Sequence, residues 1–152
     1  MSDGAWFIII NPVSPFKEEL KAVFELIKAE TGRFAEEENL VIGLEGKPLL
    51  YIKAFYGRRP YWKEWAELFH IEPEFFGSEW EDRLYELISK HFRRVFVEYY
   101  EDPETLRQLK QGVAPEETRL GSKLKALGYR YFRDWYYPEG WLEGGYKLQA
   151  ER

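Results

Sequence analysis

The chain has 152 residues, 45% hydrophobic and 18% aromatic, with a formal net charge of −5 from 22 basic and 27 acidic side chains. That length suits one domain with a real core, and the acidic balance argues against duplex DNA, whose binders carry a basic excess on one face. With no cysteine, disulfides, thiolate metal sites and a Cys nucleophile are excluded.

Ala5 to Asn11 reads as a buried strand, and its apolar run is too short for a signal peptide or a membrane span. A soluble, cytoplasmic protein without a membrane partner is therefore expected. Ser14 caps a helix that opens at Pro15, buries Phe16, Leu20, Val23, Phe24 and Ile27 on one face, and ends at Gly32. Arg33 to Glu38 reads as a charged loop. Leu40 to Leu44 and Leu49 to Tyr56 are apolar segments joined by Glu45-Gly46-Lys47-Pro48, a hairpin signal. Gly57-Arg58-Arg59-Pro60 breaks the second strand, and a short helix, Tyr61 to Phe69, is expected to carry Trp62, Trp65 and Phe69. A loop, Ile71 to Gly77, follows.

Ser78 and Glu81 form a capping box for a helix running to about Phe92, with Trp80, Leu84, Leu87, Ile88 and His91 on one face. Arg94 to Tyr100 is the next strand. Asp102 caps a short helix that starts at Pro103 and ends near Gly112. Pro115 opens a further helix, which Gly128 closes from the left-handed position. An aromatic strand, Tyr129 to Tyr137, a Gly-rich turn and a short strand, Tyr146 to Ala150, complete the chain. The fold class expected is α+β, with one mixed, largely antiparallel sheet flanked by helices. A crossover is expected to set the long strand, Leu49 to Tyr56, parallel to Arg94–Tyr100, with a ligand cleft between them.

The element order, and a last helix ending in Leu127-Gly128-Tyr129 before a closing hairpin, resemble the GNAT acyltransferase fold across the whole chain. The segment TRLGSKLKALGYRYFRDWYYPEGWLEGGYKLQAE also resembles an uncharacterised, GNAT-like archaeal family. Membership of GNAT implies an acyl-CoA cofactor such as acetyl-CoA and a small amine as acceptor. It also implies a Gly-rich pyrophosphate cradle at the helix opening and a general-acid tyrosine in the last helix. Here the helix opens with Phe76-Gly77-Ser78-Glu79-Trp80-Glu81-Asp82, one glycine and three carboxylates, and Leu124 stands at the tyrosine position.

Gly57, Arg58 and Arg59 offer a replacement pyrophosphate site beside a helix start, or simply pair with surface acids. Glu98, mid-strand among rings, is a candidate base near neutrality, or the partner of Arg130 or Arg133 in an ion pair. Tyr136, Tyr137, Glu139, Trp141 and Glu143 make the best binding loop, with glycines for close approach and rings for stacking. Arg119 and Asp134 are candidates to face the same cleft, each with an ion pair as its other reading. His70 and His91 do not form a metal set, and no metal motif occurs.

Two functions follow as expectations. One is an acyl-CoA-dependent N-acyltransferase for a small amine, with Glu98 as base. The other is a catalytically silent ligand-binding module, homodimeric through Trp62, Trp65 and Trp141. RNA stacking on the loop is disfavoured by the negative charge. Only two Asn, three Gln and one Met against abundant Glu, Lys and Arg match a hyperthermophilic composition.

Overall fold

Side-chain caps set the helix boundaries. In the computed structural model, which describes residues 19–22, 25, 29, 34–36, 41–44, 47–55, 65–137 and 145–152, Ser78 Oγ accepts the Glu81 N–H and opens helix α1, Glu79–His91. Asp102 does the same for the Thr105 N–H at helix α2, Pro103–Lys110, and Thr118 for the Gly121 N–H at helix α3, Arg119–Ala126. Each cap gives an N–H the partner that the first helical turn lacks, worth roughly 1 kcal/mol. Residues 19–22, 25 and 29 are helical, as the Ser14–Gly32 reading expects. The strand expected at 5–11 lies outside the described residues.

Among the described residues, seven strands form one mixed sheet: β1 (Phe34–Glu36), β2 (Val41–Leu44), β3 (Lys47–Phe55), β4 (Trp65–Phe69), β5 (Arg94–Glu98), β6 (Tyr131–Tyr137) and β7 (Gly145–Glu151). Their order is β1-β2-β3-β4-β5-β7-β6. Every neighbouring pair is antiparallel except β4 and β5, which are parallel and joined through α1. The α+β class and the mixed, largely antiparallel sheet are as the sequence indicates.

Three expectations are corrected. Residues 34–36 are an edge strand paired with β2, not a loop. The helix expected over 61–69 is, in its described part, a strand. Trp65 and Phe69 are spaced like a helical face, but Ala66, Glu67, Leu68 and Phe69 are all buried, the pattern of a central strand. That strand separates β3 from β5, so the parallel partner of β5 is β4 and the cleft expected between the long strand and β5 does not exist. The reading of one helix from Pro115 to Gly128 is refined. Pro115–Glu117 is a separate 3-10 turn, because the Thr118 cap restarts the helix.

Strand alternation sorts the side chains. Ala66, Leu68, Val95, Val97, Leu148 and Ala150 are buried in one core with Leu84, Leu87 and Ile88 of α1 and Leu120 and Leu124 of α3. On the opposite face lie Trp65, Glu67, Phe69, Phe96, Glu98, Lys147 and Gln149. Gly121 is required where α3 meets the turn before it: a Cβ there would sit 1.9 Å from the Pro115 carbonyl oxygen.

Candidate functional site

The centre of the sheet opens where β4 and β5 part. Their pairing ends at Leu68↔Val97. The next residue after β4, His70, has φ +52, a left-handed conformation uncommon outside glycine and a marker of local constraint. Its N–H donates to Glu98 Oε2 at 2.6 Å, so a carboxylate takes the place of a ladder carbonyl. The chain stays with β3 instead: the Glu72 N–H donates to the Leu49 carbonyl at 2.7 Å, one residue out of step with the Tyr51↔Phe69 register. The extra residue takes 70–72 out of the regular β3–β4 ladder, which ends at Tyr51↔Phe69. On the other side β5 stays with β7, since the Tyr99 N–H donates to the Tyr146 carbonyl at 2.9 Å.

Glu98 sits at the mouth of this opening, half-buried. Gly145, with φ +85, faces Glu98 Oε1: a Cβ there would lie 3.6 Å from it, at ordinary contact distance. Lys147 is opposite Glu98 in the register, yet its ammonium forms a salt bridge with Glu67 across β5. Both partners of that bridge are buried.

A shallow, open groove of 510 Å³ is lined by Tyr51, Phe69, His70 and Glu72, and Glu98 is not among its lining residues. Tyr51 and Phe69 stack with centroids 5.6 Å apart, and the His70 ring lies 5.6 Å from Tyr51, edge-on, and 5.0 Å from Phe69. This ring set was not legible in the sequence, because it depends on β4 being a strand and on the left-handed turn at His70.

A second polar cluster ties the three helix starts together. Arg119 Nη1 and Nη2 donate to the Glu81 carboxylate at 2.9 and 2.6 Å, and Nη2 also donates to Asp102 Oδ2 at 2.8 Å. Burial opposes the charge on Arg119, but the hydrogen bonds to Glu81 and Asp102 outweigh it and its pKa is raised. Glu81 further accepts the Tyr85 hydroxyl and the Gly77 N–H, both at 2.8 Å. The start of α1, where a pyrophosphate cradle is sought, is thus filled by the chain's own carboxylate.

Of the residues singled out from sequence, Glu98 stands at the opening. Its carboxylate meets the His70 N–H, and no described contact joins it to Arg130 or Arg133. Asp134 accepts the Tyr99 hydroxyl; burial, then this carboxylate, raises the Tyr99 pKa. Arg119 is in the helix-start cluster. Tyr136 and Tyr137 pair with Tyr146 and Gly145 in the closing hairpin. Gly57, Arg58, Arg59, Glu139, Trp141 and Glu143 lie outside the described residues, as does Trp62. Trp65 packs edge-on against Phe96 with centroids 6.5 Å apart. His91 Nε2 lies 3.2 Å from Glu19 Oε2. Among the described residues, no group of three His, Cys, Asp or Glu is placed to hold a metal ion, and no helix is long and apolar enough to cross a membrane.

Residues 21–152 match the model of a family described as a protein of unknown function, DUF1122, and the chain belongs to that family. The chain is similar to a protein of unknown function, AQ1966 from Aquifex aeolicus VF5, known from a crystal structure. The two share 53% identity with a TM-score of 0.67, over 74% of this chain and 61% of that one. The match thus spans less than two thirds of the Aquifex chain. No curated relative matches.

Proposed function

We propose that this chain is a GNAT-like domain that binds a small amine in the opening between β4 and β5, with Glu98 as the carboxylate that receives it. The GNAT-like reading is supported by the one parallel pair among the described strands, at the sheet centre, and by the antiparallel β5-β7-β6 end. One observation carries the ligand: Glu98 holds the His70 N–H through Oε2, while Oε1 accepts no hydrogen bond among the described residues. A half-buried carboxylate with a spare oxygen suits an ammonium, through a charge-assisted hydrogen bond.

Acyl transfer to that amine is a second reading, favoured by the position of Glu98. Glu98 would take a proton from the ammonium, and the amine nitrogen would attack the thioester carbonyl of an acyl-CoA. The thiolate would then leave, the nitrogen would give up its second proton to solvent, and the thiolate would take one from solvent, since Leu124 supplies none. The donor's pyrophosphate needs a seat other than the α1 start, where Glu81 accepts the Gly77 N–H. Arg58 and Arg59 are our candidates for that seat. Tyr136, Tyr137, Glu139, Trp141 and Glu143 remain our proposal for the loop that closes over the ligand. A cytoplasmic site, a high-temperature source and a homodimer belong to the same proposal.

A titration of the isotope-labelled protein with millimolar primary amines, followed by amide NMR, tests the binding reading. The His70 amide is expected to shift, and Glu98→Gln to abolish the shift. No response at His70 to any amine overturns it. Absence of thermal stabilisation by acetyl-CoA would remove the acyltransfer reading alone.

A further inference from the structure

We infer that the outer edge of β6 is a self-association surface: two copies of this chain pair their β6 strands antiparallel about a two-fold axis at Phe132, joining their sheets. The surface is separate from the Glu98 opening and from the tryptophans that suggested a homodimer in the sequence. The inference stands independently of the amine reading.

Among the described residues β6 ends the sheet, and its seven residues, Tyr131–Tyr137, include no Lys, Pro or Gly to blunt the edge. The ladder shows which backbone groups face outward. The Tyr99 N–H donates to the Tyr146 carbonyl and the Arg152 N–H to the Arg93 carbonyl, so the even-numbered residues of β7 turn their backbone groups toward β5. The odd-numbered ones therefore serve β6, at Tyr131, Arg133, Trp135 and Tyr137. The backbone groups of Phe132 and Asp134 are left facing outward, with no hydrogen-bond partner among the described residues. A second strand laid there satisfies them.

The edge is self-complementary in one register. A two-fold axis normal to the sheet keeps every side chain on its own face, so residues of like parity oppose each other. Centring the pair on Arg133 or on Asp134 sets like charges directly opposite, which is destabilising. Centring it on Trp135 offers no ion pair. Centring it on Phe132 sets Arg130 opposite Asp134 of the second copy, twice over, and Arg133 opposite Tyr131 of the second copy. Arg130 is exposed, its N–H is held by the Glu151 carbonyl, and its guanidinium has no partner among the described residues. Asp134 gives one carboxylate oxygen to the Tyr99 hydroxyl and keeps the other for Arg130. An open groove of 360 Å³ beside Arg130 and Phe132, with Lys125 and Glu116 on its wall, leaves room for the incoming carboxylate. On the other face, the Arg133 guanidinium lies 3.7 Å over its own Trp135 ring, and Tyr131 of the second copy covers its outer side. Tyr131, 69% exposed in the single chain, is thereby covered.

Sedimentation velocity over a concentration series tests the inference. The parent is expected to dimerise. Arg130→Asp and Asp134→Arg should each weaken the dimer by at least about tenfold, since each places two like-charge pairs at the interface. An equimolar mixture of the two variants restores opposite charges at both places and should form a heterodimer of near-parental strength. Tyr131→Lys, at an exposed position, sets an ammonium against Arg133 and should also weaken the dimer. Should Asp134→Arg fail to fold, Tyr131→Lys and Arg130→Asp carry the comparison. A parent that stays monomeric at every concentration overturns the inference, as does a dimer indifferent to Arg130→Asp. Folded variants that stay apart when mixed overturn the register centred on Phe132. Each of these failures leaves amine binding at Glu98 standing.

Discussion

The His70 N–H and the Glu98 carboxylate, 28 residues apart in the chain, meet at 2.6 Å across the point where the two central parallel strands separate. A side chain thereby closes a gap that a backbone carbonyl closes elsewhere in the sheet. Glu98→Ala leaves this donor to water. Amide exchange at His70 is expected to accelerate by about tenfold or more, in line with a net 1.5–3 kcal/mol for a bond to a charged group. Glu98→Gln keeps an oxygen acceptor and should exchange closer to the parent rate. Equal exchange in all three proteins would refute the contact.

Arg119 neutralises Glu81, which is fully buried, and Asp102, 2% exposed. Removing the guanidinium strands both carboxylates. Arg119→Ala is expected to lose about 3–5 kcal/mol in urea unfolding. Arg119→Lys should recover only part of this, because an ammonium cannot form the fork to two carboxylates. A loss below about 1 kcal/mol would contradict the arrangement.

The Glu67–Lys147 bridge lies on the sheet face that also carries Glu98, with Lys147 only 1% exposed. Lys147→Met alone is expected to destabilise by about 3–5 kcal/mol, since Glu67 keeps its buried charge. The double variant Glu67→Leu with Lys147→Met should regain most of that stability. A double-mutant cycle with no coupling would show that the two groups act independently.

Tyr129 is 1% exposed and donates its hydroxyl to the Phe92 carbonyl at 2.8 Å. Burial pushes its pKa from 10.0 up to about 12, with Arg152 opposing. The folded state therefore retains the phenol proton after the unfolded chain has released it. Stability from this group is complete below pH 10 and declines as pH rises toward about 12, by up to about 3 kcal/mol. At neutral pH Tyr129→Phe should cost about 1–3 kcal/mol, from the unsatisfied carbonyl. That deficit should shrink between pH 10 and 12, measured by chemical unfolding at each pH. A constant difference across the window would rule out the assignment.

Ser78 and Asp102 announce helix starts because each cap is a contact three residues long, whereas Pro115 drew the start that belongs to Thr118. The hairpin around residues 45–48 and the closing pair β6–β7 are equally local. Trp65–Phe69 was misread because one five-residue apolar segment fits a helix face as well as a central strand, and only its neighbours β3 and β5 choose. Glu98 stood out as a carboxylate among rings. Its partner did not, since nothing near His70 in the chain signals a left-handed turn.

The amino-acid order alone therefore determined the α+β class, the helix starts capped by Ser78 and Asp102, the acidic balance and the absence of thiol chemistry. These depend on composition and on contacts within a few residues. Tertiary structure alone decided which strand lies beside β5, that the sheet opens at His70, and that Arg119 serves Glu81 and Asp102. Each of these depends on groups brought together by packing from distant parts of the chain, and no local pattern encodes such a meeting.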